Sequence, residues 1–282
     1  MPFWNPLIGG SKILELEITA NTTNYNIKTE ADTAAGGDSA GYPKIILTIP
    51  NTVIVGSSST GTYALDVGAF NPYQDIEIVN DGAVVGRGGN GGAGAPAPQG
   101  QQFEGSPGGP GGLAMKAPGS AKSVTFVNNG ILGGGGGGGD GGRKYPQPNP
   151  PVQGQNAGKP QTPVQQPVPP TNRSGMGGGG GAGYPVGTGG PQPAPHPTYQ
   201  PNGPAVIQGT GPYTFIGGGA PGNDPPNSLG GPGGNLGQDG GSDTPGGQQQ
   251  PTIPGGAAGP YLDGTQYVTI QGNAGQGPSQ TT

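Results

Sequence analysis

The stretch "VTFVNNGILGGGGGGGDGG", from Val124 to Gly142, decides the fold. It begins with the β-branched and aromatic residues typical of a strand and then contains seven consecutive glycines. Glycine loses more backbone freedom on folding than other residues, so such a run favours a flexible linker unless packing requires glycine. The sequence around this run indicates whether it is a linker or has a structural role.

A second stretch has the same order of residues. "IEIVNDGAVVGRGGNGG", from Ile76 to Gly92, lies 48 residues earlier and also reads strand, Val-Asn-(Asn/Asp)-Gly, apolar pair, glycine. Weaker copies are "YTFIGGG" (Tyr213–Gly219) and "YVTIQGNAGQG" (Tyr267–Gly277). Such self-similarity is typical of stacked units, and a linker has no need of a strand before each glycine run. The repeats therefore favour ordered packing, with a flexible linker as the alternative.

The composition excludes several classes of protein. Among 282 residues there are 67 glycines, 36 prolines and no cysteine, and only 28% are hydrophobic, which is too little for one large conventional core. The absence of cysteine excludes disulfides and thiolate metal sites. Ten scattered Lys and Arg residues and a net charge of −5 argue against binding to nucleic acid or anionic membranes. We see no signal peptide and no apolar run of membrane-spanning length, so we expect synthesis in a cytoplasm.

The predicted fold class is mostly β plus irregular structure, without a significant α-helix. Residues 11–85 read as a small N-terminal β-rich attachment domain, in which "KIILTIPNTVIVGSSS" (Lys44–Ser59) shows two strands around a hairpin-like turn. Residues 86–282 form a Gly/Pro-rich domain, with Pro- and Gln-rich loops at about 143–174 and 191–206 that favour extended polyproline-II backbone.

The glycine runs suit a polyglycine-II bundle. A polyglycine-II helix is extended, with three residues per turn and no internal hydrogen bonds, so its backbone groups must pair with neighbouring segments. Only glycine lets backbones approach closely enough for this pairing. Ordering glycine costs about 1–2 kcal/mol per residue, and each hydrogen bond returns roughly 1 kcal/mol, so the bonding must be extensive. The residues predicted to build the bundle are Gly133, Gly134, Gly135, Gly136, Gly137, Gly138 and Gly139.

Displayed side chains supply the candidate binding residues. Tyr145, Tyr184, His196 and Tyr199 stand beside glycine or proline in the Gly/Pro-rich part, and tyrosine offers a large contact area at low entropic cost. The alternative is that some of these tyrosines cap the ends of glycine layers. In the first ten residues, an apolar cluster predicts docking on a larger assembly, or else folding back on the β-domain; it comprises Phe3, Trp4, Leu7 and Ile8.

Catalytic and cofactor chemistry is not expected. The single histidine, His196, has no neighbouring acid and is flanked by prolines, so it reads as an exposed loop residue. Asp140 lacks a calcium-loop pattern and reads as a solvated turn residue, while Glu15 and Glu17 share one solvent-facing side of a strand. We therefore predict a non-enzymatic protein without metal or cofactor.

Val79-Asn80-Asp81-Gly82 and Val127-Asn128-Asn129-Gly130, with the glycine runs that follow, resemble the glycine-rich receptor-binding adhesins of bacteriophage tail fibres. The resemblance covers about residues 76–277 and implies a polyglycine-II tip whose variable loops contact the bacterial surface. It implies a virion protein, of the tail tip or fibre, made in the host cytoplasm. Expected partners are a host outer-membrane protein or polysaccharide and other phage tail proteins, with a possible homotrimer. The alternatives are a structural or ice-binding protein and a disordered assembly linker.

Overall fold

The computed structural model describes residues 12–94, 105–141, 181–188, 231–242 and 253–280. Their strands form three sheets in which neighbouring strands are always parallel. The first sheet contains β1 (Ile13–Glu17), β4 (Lys44–Ile49), β7 (Asp75–Asn80), β10 (Ser123–Asn128) and β13 (Val268–Gly272). The second contains β2 (Thr22–Thr23), β5 (Ile54–Gly56), β8 (Ala83–Val85) and β11 (Ile131–Gly133). The third contains β3 (Tyr25–Asn26), β6 (Tyr63–Asp66), β9 (Leu113–Lys116), β12 (Leu262–Asp263) and β14 (Ser279–Gln280).

The chain visits the three sheets in rotation. β4, β5 and β6 form one coil, and the next coil, β7, β8 and β9, pairs with it strand by strand. The described strands therefore build a three-sided parallel solenoid, in which each coil is one rung. The predicted β-rich character is confirmed, and the pairing continues across the boundary expected at residue 85, because β6 pairs with β9 and β7 with β10.

The repeat read from the sequence is a stack of neighbouring rungs. Ile76 lies opposite Val124 and Asn80 opposite Asn128, so the two matching stretches are adjacent strands in perfect register. The third copy follows, since Val124 lies opposite Val268. Alternate residues of each strand point inward and form one continuous core. Its largest fully buried members are Phe126, Ile27, Ile45, Leu47, Ile49, Leu65, Ile76, Ile78, Met115, Leu132 and Leu262.

Asparagine in the repeated motif bonds one rung to the next at the corner between the first and second sheets. The buried Asn80 donates its side-chain amide to Asn128 Oδ1 at 2.8 Å and to the Ile131 carbonyl at 3.0 Å. Asn128 in turn donates to the carbonyl of Asn273 at 2.9 Å. Glycine follows because a Cβ on Gly130 would overlap the Gly82 carbonyl of the rung beside it. The motif is therefore a corner that repeats through the stack.

One expectation about local structure is wrong. The strands within Lys44–Ser59 do not form a hairpin: β4 and β5 belong to different sheets, and the chain between them bends instead of reversing. Helix is a very small part of the described structure, as predicted: one short helix is present, α1 (Ile27–Ala34), whose N-cap Asn26 accepts a hydrogen bond from the Thr29 amide at 2.9 Å. With only two buried residues in α1, Ile27 and Ala31, its apolar pattern is too short to stand out.

Acid should weaken the hydrogen bonds that the Asp32 carboxylate makes within α1 and to the turn at Ser39. The Asp32 carboxylate accepts bonds from Lys28 Nζ at 2.7 Å, from the Ser39 hydroxyl at 2.7 Å and from the Ser39 amide at 2.9 Å. The Lys28 bond is the largest cause that lowers the pKa of Asp32 from 3.8 to about 2, against a smaller opposing effect of desolvation. Because the folded pKa lies below the unfolded one, this stabilisation is complete above the unfolded pKa and is lost as the pH falls towards the folded one.

Urea unfolding of the wild type and of Asp32→Asn from about pH 5 to about pH 2 tests this expectation. The difference in the free energy of unfolding should be largest at the upper end and should shrink as the carboxylate of the wild type is protonated. A difference that stays constant over this range would contradict it.

Candidate functional site

The glycine-rich stretches all leave the solenoid at one corner, between the second and third sheets. We call the following stretches the glycine segments: residues 86–94, 105–112, 134–141, 181–188, 231–242 and 253–260. Residues 86–94 continue β8 and residues 134–141 continue β11, while residues 105–112 lead into β9. In the two earlier rungs the same corner is Asn24 alone and the short loop 57–62. The glycine segments are thus insertions at successive copies of one corner.

Hydrogen bonds around residues 134–141 repeat with a period of three. The amides of Gly135, Gly138 and Gly141 donate to residues 112, 109 and 106. The intervening amides point elsewhere: Gly136 donates to Ala182, and Gly137 donates to Gln238. Successive amides therefore face different neighbouring segments in rotation.

The carbonyls of the same run follow the same period. Those of residues 133, 136 and 139 accept from Gly86, Gly89 and Gly92 at 2.8–2.9 Å. Those of residues 134 and 137 accept from Gly237 and Gly234, and those of residues 135 and 138 accept from Gly259 and Gly256. The run is therefore surrounded by the other glycine segments and bonded to them on all sides.

Every glycine from Gly133 to Gly139 is buried and has no room for a side chain. A Cβ on Gly137 would overlap the carbonyl of Gly256 and lie 2.8 Å from the Gly240 amide nitrogen. At six of the seven positions the obstacle is backbone of another segment; at Gly133 it is the side chain of Leu236. Backbone cannot move aside as a flexible side chain can, so the sequence requirement for glycine is steric.

Asp140 differs from its expected role as a solvated turn residue. It is fully buried, and its Oδ1 accepts a hydrogen bond from the Gly231 amide at 2.7 Å. Its own amide and carbonyl bond to Gly241 and Gly231 in the three-residue pattern. The sequence signal was misleading because a carboxylate within a glycine run is typical of a surface turn. Here Asp140 instead lies inside the hydrogen-bonded glycine segments.

The inner ends of the glycine segments are anchored on the solenoid by a small apolar cluster. Leu236 and Ala182 pack with Ala83 and Val85 of β8, and Tyr184 packs against this cluster. Tyr184 is half-buried, and its carbonyl accepts from the Ser57 amide at 3.0 Å. Tyr184 therefore lies at the base of the glycine segments, beside the solenoid.

A tyrosine–carboxylate pair joins two rungs of the third sheet close to this corner. Tyr63 on β6 donates its hydroxyl to Asp263 Oδ2 on β12 at 2.6 Å, and the Lys116 ammonium lies 5.4 Å from the Tyr63 ring centroid. Burial, followed by the bond to Asp263, raises the pKa of Tyr63 to about 12. The pair fixes β12, which is the strand that follows residues 134–261.

The outer ends of the glycine segments lie together on the side away from the solenoid. The Ser106 amide donates to the Ala93 carbonyl, and its carbonyl accepts from Gly141 at 2.8 Å. At the same level Gly231 donates to the carbonyl of Asp140. The chain turns back near the solenoid at Tyr184–Pro185, and again at Leu236–Gln238, so the segments alternate in direction.

The remaining predicted site residues lie outside the described residues. These are Tyr145, His196 and Tyr199, with the loops 143–174 and 191–206, and also the N-terminal Phe3, Trp4, Leu7 and Ile8. The described flanks of the loops are Gly141 and Gly181, and Thr188 and Gly231. Because residues 134–141 run outward and residues 181–184 return inward, both flanks face the outer side.

The described part of the chain contains neither a cluster of metal ligands nor a membrane-spanning helix. In the part of the chain that the structure describes, no three His, Cys, Asp or Glu side chains are grouped to hold a metal ion. No helix within the described ranges is both long and apolar enough to cross a membrane.

Comparison with known proteins relates this architecture to a family. The chain resembles one in the crystal structure of the gp37-gp38 adhesin tip complex of the bacteriophage S16 long tail fiber, with a TM-score of 0.53 and 21% sequence identity, over 100% of this chain and 84% of that chain. At this identity the likeness shows the fold. A comparison with curated proteins finds no match. The family model of the phage tail fibre adhesin Gp38 matches residues 14–280. The chain therefore belongs to the Gp38 family of phage tail fibre adhesins, receptor-binding proteins through which a tail fibre attaches to the host cell.

Proposed function

We propose that this adhesin binds its receptor through the stretches that connect the outer ends of the glycine segments. These are residues 95–104, 142–180, 189–230 and 243–252. The support is topological: described segments run outward before each of these stretches and inward after it. Tyr145, His196 and Tyr199 fall within them, so several separate loops would present side chains on one side of the molecule.

Tyr184 has a different proposed role. Its position against Ala182 and β8 fits the alternative in which a tyrosine caps the end of the glycine layers. A Cβ on Gly56 would overlap Tyr184, which indicates how tightly the residue packs on the solenoid. We therefore leave Tyr184 out of the receptor site.

We further propose that the glycine segments form a polyglycine-II bundle. That conformation has three residues per turn and no internal hydrogen bonds, so the amides of a central segment should address neighbours with a period of three. The donors at residues 135, 138 and 141 and the acceptors at residues 133, 136 and 139 support this assignment. A rigid bundle would hold the receptor-binding loops at low entropic cost.

The proposed partners are a host-surface molecule and a fibre subunit. The matched structure is a gp37-gp38 complex, and we infer that this chain likewise joins a fibre protein of its own phage. The apolar segment at residues 1–10, with Phe3, Trp4, Leu7 and Ile8, is the proposed docking element. The receptor would be an outer-membrane protein or a polysaccharide, and no step requires catalysis. The homotrimer stays a prediction.

Removal of residues 143–174 from the phage should lower the adsorption rate at least about tenfold, while intact particles carry the adhesin in normal amount. Tyr145→Ser with Tyr199→Ser is the finer variant, and it should also slow adsorption. Tyr184→Phe is the matched control because it keeps the ring at the base, and it should adsorb normally. Normal adsorption by the deletion particles would overturn the assignment of this loop.

A further inference from the structure

No glycine of the glycine segments is exposed. Every exposed residue of these segments carries a side chain, although glycine is their commonest residue. The solenoid does not follow this rule, because Gly36, Gly37 and Gly61 are exposed there. The exposed positions of the glycine segments include the prolines Pro107, Pro110, Pro232 and Pro254.

The hydrogen bonds of residues 105–112 show what distinguishes the exposed positions. One set of amides, spaced three residues apart, donates to residues 86–94, and the Gly111 amide of a second set donates to Ala257 in the adjacent segment. A helix with three residues per turn has a third set of positions, about 120° from each of the other two. The third set consists of Pro107 and Pro110.

This third set points away from the centre of the glycine segments. The carbonyls of residues 105–112 accept hydrogen bonds from the central run, as Gly109 does from the Gly138 amide at 2.9 Å. Both prolines lie on the opposite side and are exposed. Proline has no N–H group, so the outward set offers no backbone donor.

A bare glycine face would be open to a further glycine segment. In the proposed bundle each segment pairs with its neighbours through backbone groups, as a β-strand does, and an unpaired strand edge is a template for pairing with another chain. A side chain prevents such an approach. Inside the glycine segments, a Cβ on Gly111 would overlap the carbonyl of Gly135, and a Cβ on Gly256 would overlap the carbonyl of Gly109.

We propose that the exposed side chains keep the glycine segments of one chain from pairing with those of a second copy. The inference rests on the proposed polyglycine-II bundle and goes beyond it to the behaviour of its outer faces. The excluded partner is a second copy because only another glycine segment can bring its backbone close enough to bond to such a face. Two adjacent segments share one of these faces, which is protected by Pro107, Pro110, Pro254 and Ala257.

Sedimentation velocity of the purified full chain tests this proposal. For Pro107→Gly with Pro110→Gly, the average mass should rise with concentration to at least about twice that of the wild type, because two free amides without side chains face outward. Pro107→Ala with Pro110→Ala is the matched control, since it restores the same amides but keeps a Cβ at each position, and it should sediment as the wild type does. A second variant, Pro254→Gly with Ala257→Gly, opens the adjacent segment and should also associate.

The proposal is overturned if both glycine variants sediment as the wild type at every concentration. Equal association of the alanine control would also overturn it, since a Cβ would then be no obstacle. Amide hydrogen exchange at Gly135 and Gly138 separates this inference from the bundle. Slow exchange in the wild type, with unchanged mass in both glycine variants, overturns the inference alone, whereas fast exchange overturns the bundle and the inference with it. Complexes that form only with loss of this protection are aggregates of unfolded chain and contradict the proposal.

Discussion

Gly137→Ala should lower the free energy of unfolding by about 3 kcal/mol or more, through overpacking in the centre of the glycine segments. The added Cβ overlaps the carbonyl of Gly256 and crowds the amide nitrogen of Gly240 at 2.8 Å, so two separate segments would have to move. Each of them also bonds to further neighbours: the Gly240 amide donates to the Gly256 carbonyl, and the Gly256 amide donates to Gly138. A shift at one position therefore strains several hydrogen bonds at once.

Gly109→Ala is the matched control for this experiment. Gly109 belongs to the same network, since it donates to Asn90 and accepts from Gly138, but an added Cβ would meet the nearest Asn90 atoms at 3.3 Å. A displacement of a few tenths of an ångström relieves that contact. Calorimetry should find the Tm of Gly137→Ala lower by roughly 10 °C and that of Gly109→Ala little changed. Equal Tm values for the two variants would contradict the steric role assigned to Gly137.

Phe126→Ala should cost about 3–5 kcal/mol of unfolding free energy, the range for truncation of a buried phenylalanine. Phe126 is fully buried in β10, with Ile78 opposite it on β7 and Ile270 opposite it on β13. Its ring therefore fills the inside of the solenoid at the rungs next to the longest glycine insertion. Loss of the ring leaves a cavity that the flanking strands cannot close, because hydrogen bonds to both neighbours fix the backbone.

Val127→Ala provides the comparison, since Val127 is the next residue of β10 and lies half-buried on the outer face. Its truncation should cost about 1 kcal/mol or less, because a partly exposed side chain leaves no closed cavity. Urea unfolding of both variants measures the difference. A loss for Phe126→Ala no greater than that for Val127→Ala would contradict the inward orientation of β10.

The stacking of the strands could be predicted from the sequence, but the topology could not. The matching stretches at Ile76 and Val124 identified neighbouring rungs, and their alternation identified the buried face. Pro50, Asn51 and Gly82, however, are turn residues that serve a hairpin and a solenoid corner equally well. Strands of two residues, such as Thr22–Thr23, carry no periodic signal at all. The parallel order therefore required long-range pairing that no local pattern contains.

The candidate site, too, could be predicted from the sequence only in part. The steric need for glycine at Gly133–Gly139 follows from the run itself once packing is assumed. The burial of Asp140 and the basal position of Tyr184 depend on which segments come together, and the sequence gives no indication of either. The exposure of Ile13, Tyr73 and Tyr267 was also not predicted, because it depends on how the strands are stacked and not on any local pattern.

The three-residue period of the hydrogen bonds restricts how such a chain can change in length. One inserted residue in residues 134–141 would rotate every following amide by about a third of a turn, so each would face the wrong neighbour. Three inserted residues would restore the phase and add one turn. Within the segments, tolerated insertions and deletions should therefore come in triplets of residues, whereas the outer connections can vary in length one residue at a time. The hydrogen-bond network of the glycine segments therefore works like a reading frame, because only whole triplets of residues keep the following amides facing their partners.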